Sequence, residues 1–286
     1  MSLVSRLTLS LTLLPLIGSC AEPIEEPDET YAPPTLPPEQ VGDVFEVAGT
    51  FAYRFVMTQH VENAFDDTVY DVQTVKNYLV LNWEPGANEG EVLHTAQLCL
   101  TVLSEVSGST TTLRQGYYEN TPATTYTGSL SSSEIGATFD LPQFVELRGI
   151  DLADPLNDPL PRPEEDNNDC DNFEPPADVF DYDGDGDVGY TVFVDGALDA
   201  DLWAVERFVF SASGTVYDKD SVSGFVDGYI EDSFICSTKP NIIDPDIDIY
   251  PDEEPANNFF EIVRADAGLT CSDLLDNLDV LFPTDE

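Results

Sequence analysis

The feature that most restricts how this chain can fold is an alternation of apolar and polar residues with a period of two. It begins near residue 43, where the large apolar residues of one face are Phe45, Val47, Phe51, Tyr53, Phe55 and Met57. Similar runs occur at 73–83, 91–104, 188–194, 201–211 and 222–236, and weaker ones lie between 110 and 149. Because successive side chains of a strand point to opposite faces of a sheet, this pattern predicts strands with one buried face.

Turn signals separate these predicted strands. Asp195-Gly196, Ser213-Gly214 and Asp227-Gly228 are dipeptides typical of tight turns, and the segment 83–90 contains both Pro and Gly. We therefore predict a mainly β protein with a single antiparallel β-domain. A sandwich and a closed up-and-down barrel fit the pattern equally well, so both remain open.

The charge of the chain excludes one broad class of function. Its 286 residues include 10 Lys and Arg against 56 Asp and Glu, which gives a formal net charge of −46. Binding to nucleic acid needs clustered basic side chains, and ten cations in so acidic a chain cannot supply them. We therefore expect no nucleic-acid partner. The hydrophobic fraction of 42% is nonetheless sufficient for a folded core.

The N-terminal residues have the pattern of an export signal. Arg6 precedes an apolar run at 7–17, which is shorter than the roughly 20 residues needed to span a bilayer. The run ends in Ile17-Gly18-Ser19-Cys20, which resembles the lipobox of bacterial lipoproteins. This resemblance implies that residues 1–19 are a signal peptide, that signal peptidase II cuts before Cys20, and that the acylated cysteine anchors the protein to a membrane. Because residue 21 is Ala and not Asp, it also implies the outer membrane of the cell envelope, with the periplasmic and surface faces both open.

An acidic, proline-rich segment follows this cysteine. Residues 21–40 contain six Pro and six acids but no basic residue. Such a composition cannot bury a core and favours an extended, self-repelling conformation. We therefore assign residues 20–42 to the lipidated cysteine and an extended tether, and residues 43–286 to the β-domain.

Two long acidic segments interrupt the strands, at 152–180 and 239–257, and insertions of this length are usually functional or disordered. One short helix is predicted at the C-terminus. Thr270 and Asp273 are spaced as in a capping box, and Pro283 ends an apolar stripe of Leu274, Leu275, Leu278, Leu281 and Phe282. We expect this helix to plug or cover one end of the β-domain.

The cysteines other than Cys20 are even in number: Cys99, Cys170, Cys236 and Cys271. In an exported chain this predicts two disulfides, and the spacing matches no zinc motif. Of the three possible pairings we favour Cys99 with Cys170 and Cys236 with Cys271. The first bond would pin the acidic loop to the β-core, and the second would attach the terminal helix to the last strand.

The sharpest local motif is a run of alternating aspartates at 181–187, with the sequence DYDGDGD. Calcium prefers six to eight oxygen ligands, and alternating aspartates let a chain wrap around such an ion. Compared with an EF-hand loop, the expected ligands are Asp181, Asp183 and Asp185, with the turn at Gly186 and the backbone carbonyl of Asp187 next. We therefore predict a weak calcium site, with a solvated acidic turn as the alternative.

This loop departs from the EF-hand pattern at its twelfth position, which holds Val192 in place of the bidentate glutamate. The missing carboxylate would have to come from elsewhere, and Asp178 and Asp195 are nearest in sequence. The DxDGDG motif runs into a strand, and a strand containing Arg207 and glycine-punctuated strands follow. This arrangement resembles hypothetical bacterial lipoproteins across residues 180–236, which implies a shared fold and metal loop but no activity.

Catalytic signatures such as GxSxG, HExxH, the P-loop and GxGxxG do not occur in the sequence. His94 lies on the apolar face of its strand, which favours a packed structural histidine, and His60 ends a strand and is expected to be exposed. We therefore predict an envelope lipoprotein with a non-catalytic, calcium-ordered β-domain that binds an unidentified ligand or protein or serves a structural role. The alternatives are a lipocalin-like binder of small ligands and an extracellular hydrolase.

Overall fold

The computed structural model describes residues 27, 29–63, 66–106, 108–162, 168–196, 199–240 and 247–283. The proposed signal peptide and Cys20 lie outside this part of the chain. Strands dominate the described residues, and their pairings are antiparallel, which confirms the prediction of a mainly β protein. No helix in the described part is long and apolar enough to cross a bilayer.

The described residues of the first half of the chain form six strands, β1 Gly49–Asn63, β2 Asp66–Pro85, β3 Glu91–Leu103, β4 Ser109–Leu113, β5 Thr124–Leu130 and β6 Thr138–Arg148. The helix α1 Gln115–Asn120 lies between β4 and β5. The second half contains β7 Tyr190–Gly196, β8 Ala200–Val216, β9 Ser221–Ser237, β10 Ile249–Pro251 and β11 Phe259–Arg264. Two helices, α2 Cys271–Leu275 and α3 Leu278–Leu281, follow. The sequence pattern had indicated the long strands but not α1 or β11.

Antiparallel pairings join eight of these strands into a closed series, in the order β8, β6, β5, β3, β2, β1, β11, β9 and back to β8. The pairing of β8 with β9 is long, from Leu202 opposite Ser237 to Val216 opposite Val222. The first part of β8 also pairs with β7, which in turn pairs with β4. The sheet therefore has an inner face, which the strands enclose, and an outer face.

Two of the predicted turns lie inside strands. Ser213-Gly214 and Asp227-Gly228 belong to β8 and β9, which remain paired across both sites. A Cβ added at Gly214 would lie 2.4 Å from the carbonyl oxygen of Ser223, and one at Gly228 would lie 2.0 Å from that of Val209. These glycines therefore permit a close approach of two backbones, and they do not reverse the chain.

Aromatic side chains fill one end of the enclosed space. Phe51, Trp83, Phe139 and Phe260 are each at most 1% exposed. The Trp83 ring centroid lies 5.1 Å from that of Phe139 and 5.2 Å from that of Phe51. Burial of such large apolar groups contributes much of the folding free energy. This end of the β-domain is a packed core.

The C-terminal helices pack on the outer face of the sheet, and the expectation that they would plug or cover one end of the β-domain is wrong. Leu274 and Phe282 are buried against Ala52 and Val80, which are outward-facing residues of β1 and β2. These small and branched apolar side chains form a patch that the helices remove from water.

The predicted single helix is divided in two. Thr270 and Asp273 do form the capping box at the start of α2. Between α2 and α3, however, Asn277 has φ −127° and ψ 19°, which lie outside the helical region. This break lets Leu274 and Phe282 both reach the sheet.

The acidic segment 152–180 covers another part of the outer face. Leu160 and Val179 are buried there against Val205 of β8 and Ile235 of β9. Arg207 also faces outward, and its Nε donates a 2.8 Å hydrogen bond to the carbonyl oxygen of Pro155. The described part of this acidic segment is therefore a packed layer of the structure.

The cysteine pairing differs from the one we favoured. Cys99 bonds to Cys271, and Cys170 bonds to Cys236. The sheet order explains the difference, because β3 with Cys99 lies beneath the terminal helices, whereas β9 with Cys236 lies beside the acidic segment. Two disulfides form as predicted. They anchor the terminal helices and the acidic segment, as expected, but each segment is bonded to the strand that we had assigned to the other.

Part of the predicted tether lies against the domain. The Tyr31 ring stacks on Phe259 at 5.4 Å and meets Phe225 edge-on at 5.2 Å. Glu29 pairs with Arg54 at 3.1 Å. The segment predicted as an extended tether through residue 42 therefore contacts the β-domain at Glu29 and Tyr31, because a charge and an aromatic side chain find partners there.

Candidate functional site

A cavity occupies the end of the enclosed space opposite the aromatic core. It has a volume of about 140 Å³ and is partly open to solvent. One water needs roughly 10–15 Å³ by the same measure, so a small organic molecule can fit. The walls are mainly apolar and include Phe55, Val75, Val192, Leu202, Phe208 and Phe234. The inward-facing residues of β1, β2 and β7 to β9 thus enclose a mainly apolar cavity at this end, whereas side chains fill the space at the other end.

A buried polar cluster forms the inner end of this cavity. Arg148, at the end of β6, places its Nη1 2.5 Å from Glu206 Oε1 on β8, and its Nη2 lies 3.0 Å from Glu146 Oε2. Arg148 also donates to the hydroxyl of Tyr117 from α1, and that hydroxyl donates to Glu206 Oε2 at 3.2 Å. These contacts give the cavity a polar inner end, whereas its walls are mainly apolar but also include Gln59 and Gln73.

Another carboxylate, that of Asp232 of β9, also lines the cavity. Its Oδ1 accepts a 2.7 Å hydrogen bond from the hydroxyl of Tyr190 on β7. Protein surrounds Asp232, yet part of its surface remains accessible, as expected for a side chain that faces a cavity. The cavity therefore presents a carboxylate to whatever occupies it.

Burial and neighbouring charges set the protonation of these groups. Burial raises the pKa of Glu206, and the charge of Arg148 opposes this rise. Burial disfavours the charge on Arg148, but the carboxylates of Glu206 and Glu146 outweigh it and raise the Arg148 pKa. Burial also raises the pKa of Asp232 to about 7, and the negative charge of Glu206 adds to this effect. Asp232 can therefore change its charge near neutral pH.

The sequence pattern did not reveal this cluster, although it contained one indication of it, two carboxylates on the apolar faces of strands. Asp232 is in phase with Ile230 and Phe234 on the inward face of β9, and Glu206 is in phase with Phe208 on β8. A carboxylate on the apolar face of a predicted strand is unusual, because burial of an unpaired charge is costly. The positions of Arg148 and Tyr117 beside these carboxylates depend on strand order, which the sequence pattern did not reveal.

The aspartate loop lies just before β7. Of the described residues, Asp181, Asp183 and Asp185 form a group that could hold a metal ion, with one oxygen from each within 4.8 Å of the others. The carboxylates of the other candidates, Asp178, Asp187 and Asp195, are not part of this group. Among the described residues, the structure therefore brings together the three predicted carboxylates without a fourth, and the ligand predicted from Asp187 is its backbone carbonyl.

Hydrogen bonds hold the loop in a tight turn. Asp181 accepts from the backbone N–H groups of Gly184 and Gly186 at 2.7 and 3.0 Å. Both glycines have positive φ, 76° and 98°, so the turn that the sequence predicted at Gly186 is present. Asp185 Oδ2 accepts from the Thr191 hydroxyl at 2.7 Å and lies 3.2 Å from Arg114 Nε.

Asp183 is the most deeply placed of the three. It is only 5% exposed, and its Oδ2 accepts a 2.9 Å hydrogen bond from the N–H of Thr191. Its Oδ1 is buried and has no hydrogen-bond partner. Burial raises the pKa of Asp183, and the charges of Asp185 and Asp181 add to this effect. A buried carboxylate oxygen without a donor is costly unless something binds it.

The aspartate loop and the cavity share structural elements. Gly116 of α1 leaves no room for a side chain, since an added Cβ would lie 2.0 Å from the carbonyl oxygen of Asp183. The next residue, Tyr117, is part of the polar end of the cavity, and its ring lies 5.7 Å from that of Tyr182 in the loop. An ordered loop therefore supports the wall of the cavity.

The two histidines have structural contacts. His94 is 2% exposed, and its Nδ1 accepts a 2.9 Å hydrogen bond from Trp83 Nε1. Burial lowers the His94 pKa to about 3. His60 lies 3.4 Å from Asp252. The contacts of His94 fit the packed structural role expected from its strand position and give no support to a hydrolase.

Comparison with protein families, with curated proteins and with solved structures finds no match to this chain.

Proposed function

We propose that this protein binds a small, mainly apolar molecule inside the β-domain. The observation that carries this proposal is the cavity of about 140 Å³, with apolar walls and one buried polar end. Sites for small molecules commonly combine apolar walls with a few polar groups that fix the orientation of the ligand. A lipocalin-like binder of small ligands was one of the alternatives that the sequence left open, and we favour it over a less specific binding or structural role.

The polar end suits binding more than catalysis. Arg148 keeps its charge because two carboxylates raise its pKa, and burial keeps the Tyr117 hydroxyl protonated by raising its pKa well above the ordinary value. Arg148 and Tyr117, in fixed protonation states, orient a ligand but do not transfer protons at neutral pH. Asp232 titrates near neutral pH, but its hydrogen-bond partner is the Tyr190 hydroxyl, which burial also keeps protonated. We therefore propose a non-catalytic binding protein.

The place of action is the cell envelope, with Cys20 as the lipid anchor and the outer membrane as the site of attachment. The lipobox-like residues at 17–20 support this part of the proposal. Two disulfide pairs are also typical of exported proteins. A domain held at a membrane can take up or deliver apolar molecules there.

Calcium at the aspartate loop is a second proposal, and the unpartnered Asp183 Oδ1 favours it. Asp181 and Asp185 supply further oxygens nearby. Oxygen ligands of this kind suit Ca²⁺, and backbone carbonyls and water would complete the shell. The ion would stabilise α1 and β7, which help form the cavity.

A cavity-filling substitution tests the proposed ligand binding. Leu103 lines the cavity, whereas Val102, the preceding residue of β3, is 41% exposed on the outer face. The neutral dye prodan should bind the purified protein with a blue shift of its fluorescence. Leu103→Trp should weaken this binding at least about tenfold, because the indole takes up cavity volume, and Val102→Trp is the matched control. Absence of dye binding, or equal effects of the two substitutions, would contradict the proposal.

A further inference from the structure

Acidic side chains outnumber basic ones among the residues that line the cavity. Of the described residues, Glu62, Glu206 and Asp232 are acidic, and Arg148 is the single base. Arg148 does not balance this excess, because it already pairs with Glu206 and with Glu146. Above about pH 7, where Asp232 is ionised, the cavity therefore carries surplus negative charge before any ligand enters.

The surplus negative charge of the cavity is concentrated at Asp232. It occupies an inward position of β9 between Ile230 and Phe234, so its neighbours on the same face of the strand are apolar. Its polar contact is the neutral hydroxyl of Tyr190. In the part of the chain that the structure describes, no basic side chain forms an ion pair with Asp232. A carboxylate in this position lacks the partner that buried charges normally have.

We infer that the cavity binds an amphipathic organic cation, whose amine or guanidinium group pairs with Asp232 and whose hydrocarbon part lies between the apolar walls. This inference rests on the proposed function, since it names the chemical class of the ligand. The pair would replace the missing partner of Asp232, and the apolar walls would take up the rest of the molecule.

Other ligand classes fit the cavity less well. An anion would meet Asp232 and Glu206, and Arg148 is already paired with two carboxylates. A neutral alcohol can donate a hydrogen bond to Asp232 but leaves its charge unbalanced. The net charge of −46 also attracts cations and repels anions during the approach to the protein.

The titration of Asp232 provides an independent readout. Its pKa of about 7 follows from burial and from the charge of Glu206. A bound cation favours the ionised carboxylate and lowers this pKa. At neutral pH, binding of a cation should therefore release a fraction of a proton from Asp232 to the solvent.

Three probes with eight carbons each test the inference: octylamine, octanol and octanoate. Each competes with prodan for the purified protein at about pH 8, where Asp232 is ionised and octylamine is charged. Octylamine should compete at least about tenfold better than octanol, and octanoate should compete least. Calorimetry at about pH 7, in two buffers of different ionisation enthalpy, should detect proton release when octylamine binds.

The variant Asp232→Asn removes the charge but retains a hydrogen-bond acceptor for Tyr190. It should reduce octylamine affinity at least about tenfold and abolish proton release, and octylamine should then compete no better than octanol. Asp227→Asn is the matched control, because Asp227 lies on the same strand and is exposed.

The outcomes separate this inference from the proposal of ligand binding. If prodan binds and Leu103→Trp weakens it, but octanol or octanoate competes as well as octylamine, the cation inference is wrong and the binding function stands. The same holds if Asp232→Asn keeps the preference for octylamine. If neither prodan nor any of the three probes binds, the proposed function fails as well.

Discussion

The hydroxyl of Tyr190 donates a 2.7 Å hydrogen bond to Asp232 Oδ1, which joins the strand after the aspartate loop to the unpaired carboxylate of the cavity. The neighbouring residue, Thr191, donates its N–H to Asp183 at 2.9 Å. Two consecutive residues of β7 therefore contact the cavity on one side and the proposed metal loop on the other. Events at either site can affect the other through this short strand.

Calcium should raise the melting temperature of the protein. If Ca²⁺ binds only the folded state, about 1 mM Ca²⁺ and a Kd of about 0.1 mM give a gain of about 1.4 kcal/mol, or a few degrees. The double variant Asp183→Asn and Asp185→Asn should lose this increment, because two of the three grouped carboxylates are removed. Asp187→Asn is the matched control, since its carboxylate lies outside the group.

Thermal melts in Ca²⁺, Mg²⁺ and chelator at equal ionic strength measure this effect. Mg²⁺ should achieve much less, because it prefers a tight octahedral shell and gives up water reluctantly. Equal melting temperatures in all three solutions would show that the loop is an ordinary acidic turn.

Calcium should also strengthen binding in the cavity. An ion at Asp183 would hold Thr191, and hence the neighbouring Tyr190, in place. We expect prodan to bind about fivefold more tightly in Ca²⁺ than in chelator, and ligand binding should raise calcium affinity by the same factor. Fluorescence titrations measure the first effect. The coupling is wrong if prodan affinity is the same in both solutions while calcium still raises the melting temperature.

The stability of the protein should depend on pH through Asp232. In the folded state, burial and the charge of Glu206 raise its pKa to about 7, with Tyr190, Arg148 and Glu231 also acting on it. In the unfolded chain an aspartate titrates at about 3.9. The stabilisation from this bound proton is therefore complete below about pH 4 and is lost as the pH rises through about 7.

Asp232→Asn removes this dependence. The variant should be more stable than the parent at about pH 8, by about 2 to 4 kcal/mol at most, and the difference should shrink as the pH falls towards 4. Urea unfolding at several pH values gives the comparison, with Asp227→Asn as the exposed control on the same strand. A difference that is constant across this range would show that Asp232 does not titrate abnormally.

Peptide mapping of the unreduced protein should recover Cys99 linked to Cys271 and Cys170 linked to Cys236. Replacing either pair by serine should lower stability by about 2 to 5 kcal/mol, because the crosslink restricts the unfolded chain. Loss of the first pair should increase hydrogen exchange in α2 and α3, and loss of the second should increase it around Cys170. A peptide linking Cys99 to Cys170 would contradict the observed arrangement.

Cys20→Ser should leave the precursor uncleaved by signal peptidase II and without lipid. The cysteine thiol carries the diacylglycerol in the lipoproteins that this N-terminus resembles, and serine cannot replace it. Metabolic labelling of cells with a palmitate analogue measures the outcome. Labelling of the variant as strong as that of the parent would show that the lipobox interpretation is wrong.

The sequence pattern was sufficient for individual strands and insufficient for contacts between them. The alternation around Phe51, Tyr53 and Phe55 predicted β1 because a half-buried strand requires a period of two. The turn dipeptides wrongly placed Gly214 and Gly228 in turns. A glycine that reverses the chain and one that admits a neighbouring backbone look alike in sequence. The cysteine pairing failed for a similar reason, because it depends on which strands are neighbours.

By itself, the sequence determined the fold class, the two-disulfide count and the three aspartates of the loop, because each depends on residues that are close in the chain or on composition. Only the tertiary structure decided that Asp232, Glu206, Arg148 and Tyr190 meet at one cavity. They come from four different strands, and no local preference fixes the order in which strands pair. The physical reason is that burial and pairing energies of such groups depend on the whole sheet, whereas the alternation that forms each strand depends only on its own residues.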